Sequence, residues 1–328
     1  MGQRANYALV TATGYHLYYS HSGANVIDLD LFWGPEAARD FISSQTPTQD
    51  WLDQRWCEGG AVLDSTQRRL LLFGGEDVKY DPFLHSVYLR LLECAWPGWD
   101  TGWAYQGIVD MARYLGVPDS VVSVPELRSH HRSSNPRLTR AHDPWCHTLV
   151  RLDKSWYALE NDLPEILQSG PGVVAQLRRL SGPCLVGPDP PQATLNIDEN
   201  HKRVSYWHPR DLPFLPDLAG AVWPGWQLNF DREAAYRLLQ EAGDLIPRRS
   251  EREYVDDLTA RLLRQIGDRG ESFAQITRLL VDHGQQVEVL SPQAFQDVRP
   301  KLTPETRQQT LADALQQYWS SPRRPAGF

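Results

Sequence analysis

Trp96-Pro97-Gly98-Trp99 and Trp223-Pro224-Gly225-Trp226 are two copies of one tetrapeptide in a chain of 328 residues. Pro-Gly encodes a turn and tryptophan is a scarce residue, so recurrence of the whole W-P-G-W string reads as an internal repeat. If it is one, other features must recur at a similar offset, and they do. Before the first copy come Gly60-Ala61-Val62-Leu63-Asp64, a polar turn, and Arg69-Leu70-Leu71-Leu72-Phe73. Before the second come Ala193-Thr194-Leu195-Asn196-Ile197-Asp198, a polar turn, and Arg203-Val204-Ser205-Tyr206-Trp207. Both read as β-hairpins whose turn opens on aspartate. The aspartates stand 134 positions apart (198 − 64) and the tryptophans 127 (223 − 96). The first half therefore carries extra residues, placed around Asp81 to Glu93, where Pro82, Phe83, Val87, Leu91 and Leu92 predict a helix.

The correspondence extends outward in both directions. Tyr105 to Leu115 closed by Gly116 and Arg232 to Ala242 closed by Gly243 predict helices stopped by a left-handed glycine. Upstream, Tyr7–Val10 with Tyr15–Tyr19 and His147–Val150 with Trp156–Leu159 form hairpin-like pairs. Gly34-Pro35 and Gly170-Pro171 then each open a helix, since proline suits a first helical turn. The order hairpin, helix, hairpin, strand, helix is written twice. The expected fold is α+β, two pseudo-symmetric halves with mainly antiparallel sheet and a C-terminal helical region. Expected boundaries are 1–118 for the first half, 119–145 for a mobile linker loop, 146–247 for the second half and 248–328 for the helical region. Within that last region Tyr254, Leu258, Leu262 and Ile266 keep helical spacing, as do Phe273, Ile276 and Leu280. Thr303-Pro304-Glu305 starts a helix expected to place Leu311, Leu315 and Trp319 on one face.

Thirty-three basic and 41 acidic residues leave a formal charge of −8, which gives no electrostatic reason to expect nucleic acid or an anionic membrane. Four cysteines (Cys57, Cys94, Cys146, Cys184) form no C-x-x-C pair and read as reduced thiols. With no signal-peptide core and no run of about 20 apolar residues, a cytoplasmic location is expected. Met1-Gly2 is followed by Asn6 where a myristoylation motif needs Ser or Thr, and Gly2 cannot serve as an N-terminal nucleophile. Walker, G-x-G-x-x-G, H-E-x-x-H, nucleophile-elbow and EF-hand patterns are all missing from the sequence.

Three groups of residues could carry chemistry. Glu58-Gly59-Gly60 precedes the first half's central hairpin and Gly74-Gly75-Glu76-Asp77 follows it, so Glu58, Glu76 and Asp77 could gather at one end. Such carboxylates can hold a hard cation or divide into general acid and base, with glycines letting a ligand reach the backbone. The plainer alternative is a strand end with solvated acids. The matching place in the second half reads Trp207-His208-Pro209-Arg210 and lacks the acidic pair. The N-terminal hairpin adds His21 at a strand end and Arg4 as an anion-binding group. Third, His130, His131, His142, Cys146 and His147 cluster on a proline-broken stretch whose spacing makes neither a regular zinc pair nor an oriented Cys-His couple. No cofactor or metal is assigned from these residues.

Among twelve tryptophans, Trp33, Trp56, Trp99 and Trp103 flank the glycine-rich acidic segments. They either fix the core or line a pocket. The functional expectation is a ligand-binding or protein-interaction protein with an aromatic-lined cleft between two repeat halves, its partner a small molecule or protein. The alternative is a hydrolase or transferase on a small polar substrate, using Glu58, Glu76 and Asp77 with His21 and Arg4.

Overall fold

The computed structural model describes residues 3–124, 137–141, 146–181, 184, 190–209, 221–231, 238–239, 241–243, 249–264 and 300–321. Six strands form the first sheet: β1 (Ala5–Thr11), β2 (Gly14–Ser20), β3 (Thr46–Thr48), β4 (Gly59–Asp64), β5 (Arg69–Phe73) and β6 (Asp100–Trp103), in the order β3-β2-β1-β4-β5-β6. Five form the second: β7 (Thr148–Leu152), β8 (Ser155–Leu159), β9 (Ala193–Asp198), β10 (Arg203–Trp207) and β11 (Gln227–Phe230), in the order β8-β7-β9-β10-β11.

The two sheets repeat one pattern. β2-β1, β4-β5, β8-β7 and β9-β10 are antiparallel hairpins, while β1-β4, β5-β6, β7-β9 and β10-β11 are parallel. β3 is an addition to the first sheet, antiparallel to β2. Among the described residues antiparallel pairings lead parallel ones by five to four, and both sheets are mixed. The fold is therefore α+β with two pseudo-symmetric halves and C-terminal helices.

Local chemistry repeats with the topology. The turn after β4 is held by the Asp64 carboxylate, which accepts from the N–H groups of Thr66 and Gln67; Asp198 accepts from His201 N–H after β9. Each turn has a non-glycine residue in the left-handed region four positions after its aspartate, Arg68 (φ 49°) and Lys202 (φ 48°). The carbonyls of these residues then receive the first N–H of the parallel neighbour, from Asp100 at 2.8 Å and from Gln227 at 2.9 Å.

W-P-G-W is a clamp on the helix that follows each first hairpin. Trp96 is fully buried and donates through Nε1 to the Leu31 carbonyl at 3.1 Å. Trp223, equally buried, donates to the Leu167 carbonyl at 2.6 Å. Leu31 and Leu167 each lie four residues before a helix proline, Pro35 and Pro171. The second tryptophan packs edge-on against the first at 5.2 Å in both copies, across a glycine with φ near +76° (77° at Gly98, 75° at Gly225). On the helix side, Gly34 faces the carbonyl of Ala95, and Gly170 that of Val222, the residues just before the clamping tryptophans. The tetrapeptide binds a helix start to a sheet edge by burial and one indole hydrogen bond.

The chain divides into two compact units. One gathers Met1–Glu76, Tyr88–Ser123 and Val255–Ser321; the other holds Asp77–Val87 and Val124–Tyr254. The helix Pro82–Ala95 is the first-half insertion, and Ile108–Tyr114 is closed by Gly116 at φ 71°. Gly243 is likewise left-handed at φ 56°, although most of the helix expected before it lies outside the described residues. The stretch from Asp119, expected as loop, opens with a turn of helix at Asp119–Val122. In the second unit Leu152, Leu163, Ile166, Leu195, Ile197, Val204 and Trp223 pack one core.

The helix Glu251–Leu263 buries Tyr254, Leu258 and Leu262 as its spacing predicts, whereas Phe273, Ile276 and Leu280 fall outside the described residues. The helix Pro304–Ser320 corrects its expected face. Leu311, Ala314 and Tyr318, at i, i+3 and i+7, are buried and Trp319 is exposed, and the Arg90 guanidinium lies 4.4 Å from the Tyr318 ring centre. No helix among the described residues is long and apolar enough to cross a membrane.

Candidate functional site

The first sheet brings three of the predicted residues into one row at its end. Ala5 pairs with Ser20 on β2 and with Gly59 on β4. One position further out, Arg4 falls across from His21 and beside Glu58, and the N–H of Glu58 donates to the Arg4 carbonyl at 2.9 Å. All three lie just past the last paired residues, and Gly59 N–H also donates to the Arg4 carbonyl, so the chain at Glu58 has left the strand register and it is the backbone that brings Glu58 to this end of the sheet. The hydroxyl of Tyr19, two residues before His21, is hydrogen-bonded to His21 Nδ1 at 3.1 Å.

The segment before β4 is fastened under this row. The buried Asn6 side chain donates to the Tyr18 carbonyl and accepts from Leu52 N–H at 2.7 Å. Asp53 then turns the chain by accepting from the N–H groups of Arg55 and Trp56. Trp56 is thereby left 51% exposed with the Arg4 guanidinium 4.8 Å from its ring centroid. Among the described residues no carboxylate comes within 4.0 Å of the Arg4 guanidinium. Its charge is felt by the neighbours. Burial, then Arg4 and the N-terminus, hold His21 below its ordinary range, and Arg4 opposes the upward push that burial gives Tyr19.

The glycine pairs serve packing. A Cβ on Gly59 would lie 2.8 Å from Ala24, one on Gly74 2.9 Å from the Ile27 side chain, and one on Gly75 2.7 Å from the Asp28 carboxyl. The space expected for a ligand is filled by the 3-10 turn Gly23–Val26 and the helix Ile27–Asp30. Glu76 and Asp77 begin the helix Glu76–Tyr80, both exposed, with Glu76 in the first unit and Asp77 in the second. Arg4, His21 and Glu58 stand at one end of the first sheet.

Of the four tryptophans expected to line a pocket, Trp33 and Trp103 do not line an accessible surface. Trp33 is 7% exposed, packed on Phe32 and covered by Arg307, and Trp103 is 6% exposed in β6. They are buried because the core needs their area. Trp99 completes the clamp against Trp96. Trp56 alone of the four is exposed. Cys146 and Cys184 share a small apolar cluster, and burial pushes the Cys146 thiol up to about 12. His147 Nδ1 lies 3.2 Å from Asp162 Oδ1, while His130, His131 and His142 are outside the described residues. No group of three or more metal-ligating side chains assembles among the described residues.

Sequence reasoning missed Asp28. Its carboxyl is fully buried with neither oxygen hydrogen-bonded, and the Arg261 Nη2 atom is 3.5 Å away. Burial raises it to about 7 against the pull of Arg261, with Asp30 adding to the rise. A signal was present: Asp28 and Asp30 alternate with Ile27, Leu29 and Leu31 in an otherwise apolar run.

No family model matches this chain, and no curated protein and no solved structure matches it.

Proposed function

We propose that this is a binding protein whose contact surface is the end of the first sheet formed by Arg4, His21, Glu58 and Trp56. The observation that carries this reading is the pairing of Arg4 with Trp56. A guanidinium 4.8 Å from the ring centre of a half-exposed indole, with no carboxylate of the described residues matched to it, is the Arg/Trp combination enriched at binding hot spots. The contact also removes rotamer freedom before any partner arrives, which lowers the entropic cost of association. The hydrolase or transferase alternative draws no such support, since the space beside Gly59, Gly74 and Gly75 is filled by the protein's own atoms.

The test is fluorine NMR of 5-fluorotryptophan-labelled protein, with the Trp56 resonance assigned through Trp56→Phe. Screening metabolites and then cell-extract fractions should move that resonance ahead of those of buried Trp96 and Trp223. Perturbations that leave Trp56 untouched and fall on other tryptophans would place the surface elsewhere and end this proposal.

A further inference from the structure

The second half shows what the Arg4 position accepts. β7 and β9 pair Thr148 with Ala193 as β1 and β4 pair Ala5 with Gly59, and β7 and β8 pair Thr148 with Leu159 as β1 and β2 pair Ala5 with Ser20. His147 therefore stands where Arg4 stands, Glu160 where His21 stands and Gln192 where Glu58 stands. The backbone agrees: Ala193 N–H donates to the His147 carbonyl at 2.9 Å, as Gly59 N–H donates to that of Arg4 at 3.3 Å. In the second half Asp162, two residues beyond Glu160, brings its carboxylate to 3.2 Å from His147 Nδ1, within ion-pair distance though not in hydrogen-bond geometry. Two residues beyond His21 the first half has Gly23. No side chain fits there, because a Cβ on Gly23 would run into the Tyr7 hydroxyl and lie 2.9 Å from Ser20 Oγ.

We infer that Arg4 takes from a molecule outside the chain the carboxylate that Asp162 supplies to His147 within it. The inference rests on the binding reading and gives it a ligand class. The Arg4 guanidinium lies 4.8 Å from the Trp56 ring centre, a contact that uses none of its five N–H donors as hydrogen bonds to oxygen, and its fork matches the two oxygens of a carboxylate. Glu58, whose N–H donates to the Arg4 carbonyl, brings a negative charge to the same end of the sheet, which disfavours a dianionic phosphate relative to a singly charged group. His21 lies on the other side with its Nδ1 engaged by Tyr19, so a bound anion raises its affinity for a proton. The carboxylate can belong to a small organic acid or to an acidic residue of a protein.

The full-length protein with isotope-labelled histidine, His21 assigned through His21→Gln, is titrated at constant ionic strength with sodium acetate, with an acetylated Gly-Gly-Glu-Gly amide and with sodium phosphate. Acetate or the peptide should give a saturable change at His21 and move its titration to higher pH. Arg4→Gln should weaken binding at least roughly fivefold while leaving the melting temperature in place, and Glu58→Gln should strengthen it. Saturation by acetate alone identifies a small acid, and saturation requiring the peptide identifies a protein carboxylate. No saturable change, a change that survives Arg4→Gln, or tighter binding of phosphate than of acetate overturns the inference. A Trp56 fluorine response to a partner without any His21 response overturns the carboxylate claim alone; loss of both removes the binding surface as well.

Discussion

Asp28 and His85 are buried titratable side chains, one in each compact unit. Burial lifts Asp28 from 3.8 to about 7, so the native state holds a proton that the unfolded chain releases above its ordinary value. The stability of the first unit should be greatest below pH 4 and should fall as pH rises through 7. Burial lowers His85 from 6.5 to about 4, so the second unit should lose stability as pH falls from 6.5 to 4. The slopes oppose each other in one window, and single variants separate them. Denaturant titrations from pH 4 to 8 should show the falling slope reduced by Asp28→Asn, the remainder belonging to Asp81, which burial also raises, and the rising one abolished by His85→Gln. A wild-type falling slope kept in full in Asp28→Asn would assign it to another group. Glycines offer a second contrast. Gly75→Ala meets the Asp28 carboxyl at φ 78° and should cost about 2–4 kcal/mol, whereas Gly98→Ala at φ 77° meets nothing within 4 Å and should cost about 1 kcal/mol. The residues of the row were legible because strand alternation and a Gly-Gly pair fix where a strand ends. Asp28 was not, since the cation facing its buried carboxyl, Arg261, is more than two hundred positions away.

Among the elements, hairpins were readable because a turn sits in the sequence between their strands. The parallel contacts β1-β4 and β7-β9 left no such mark, since their partners are joined through helices and only the twice-written order hints at them. The clamp gives an internal control on this reading. Trp96→Phe and Trp223→Phe each remove a buried indole N–H bond and some volume, and each should cost about 1–3 kcal/mol. If one loss were several-fold larger by equilibrium denaturation, the two clamps would not be equivalent. The helix Pro304–Ser320 shows the limit of spacing rules: two stripes, Leu311-Leu315-Trp319 and Leu311-Ala314-Tyr318, both fit helical spacing, and the second is the buried one.

At the scale of the whole molecule, two sheets of the same order imply two centres of protection. Amide hydrogen exchange should be slowest in β1 and β4 of the first sheet and in β7 and β9 of the second, strands paired on both sides within their sheets. Uniform exchange across edge strands β6 and β11 and these centres would contradict that layout. The tryptophan clamps use Leu31, Gly34, Trp96 and Gly98 in one half and Leu167, Gly170, Trp223 and Gly225 in the other, none of which lies in the rows at positions 4, 21 and 58 or 147, 160 and 192. Sequence change in a row is thereby uncoupled from the upkeep of the frame. A library varied at those six positions should retain folding across most members while one varied at the clamps should not. Each half is in effect a chassis whose sheet end can change while its clamp stays fixed.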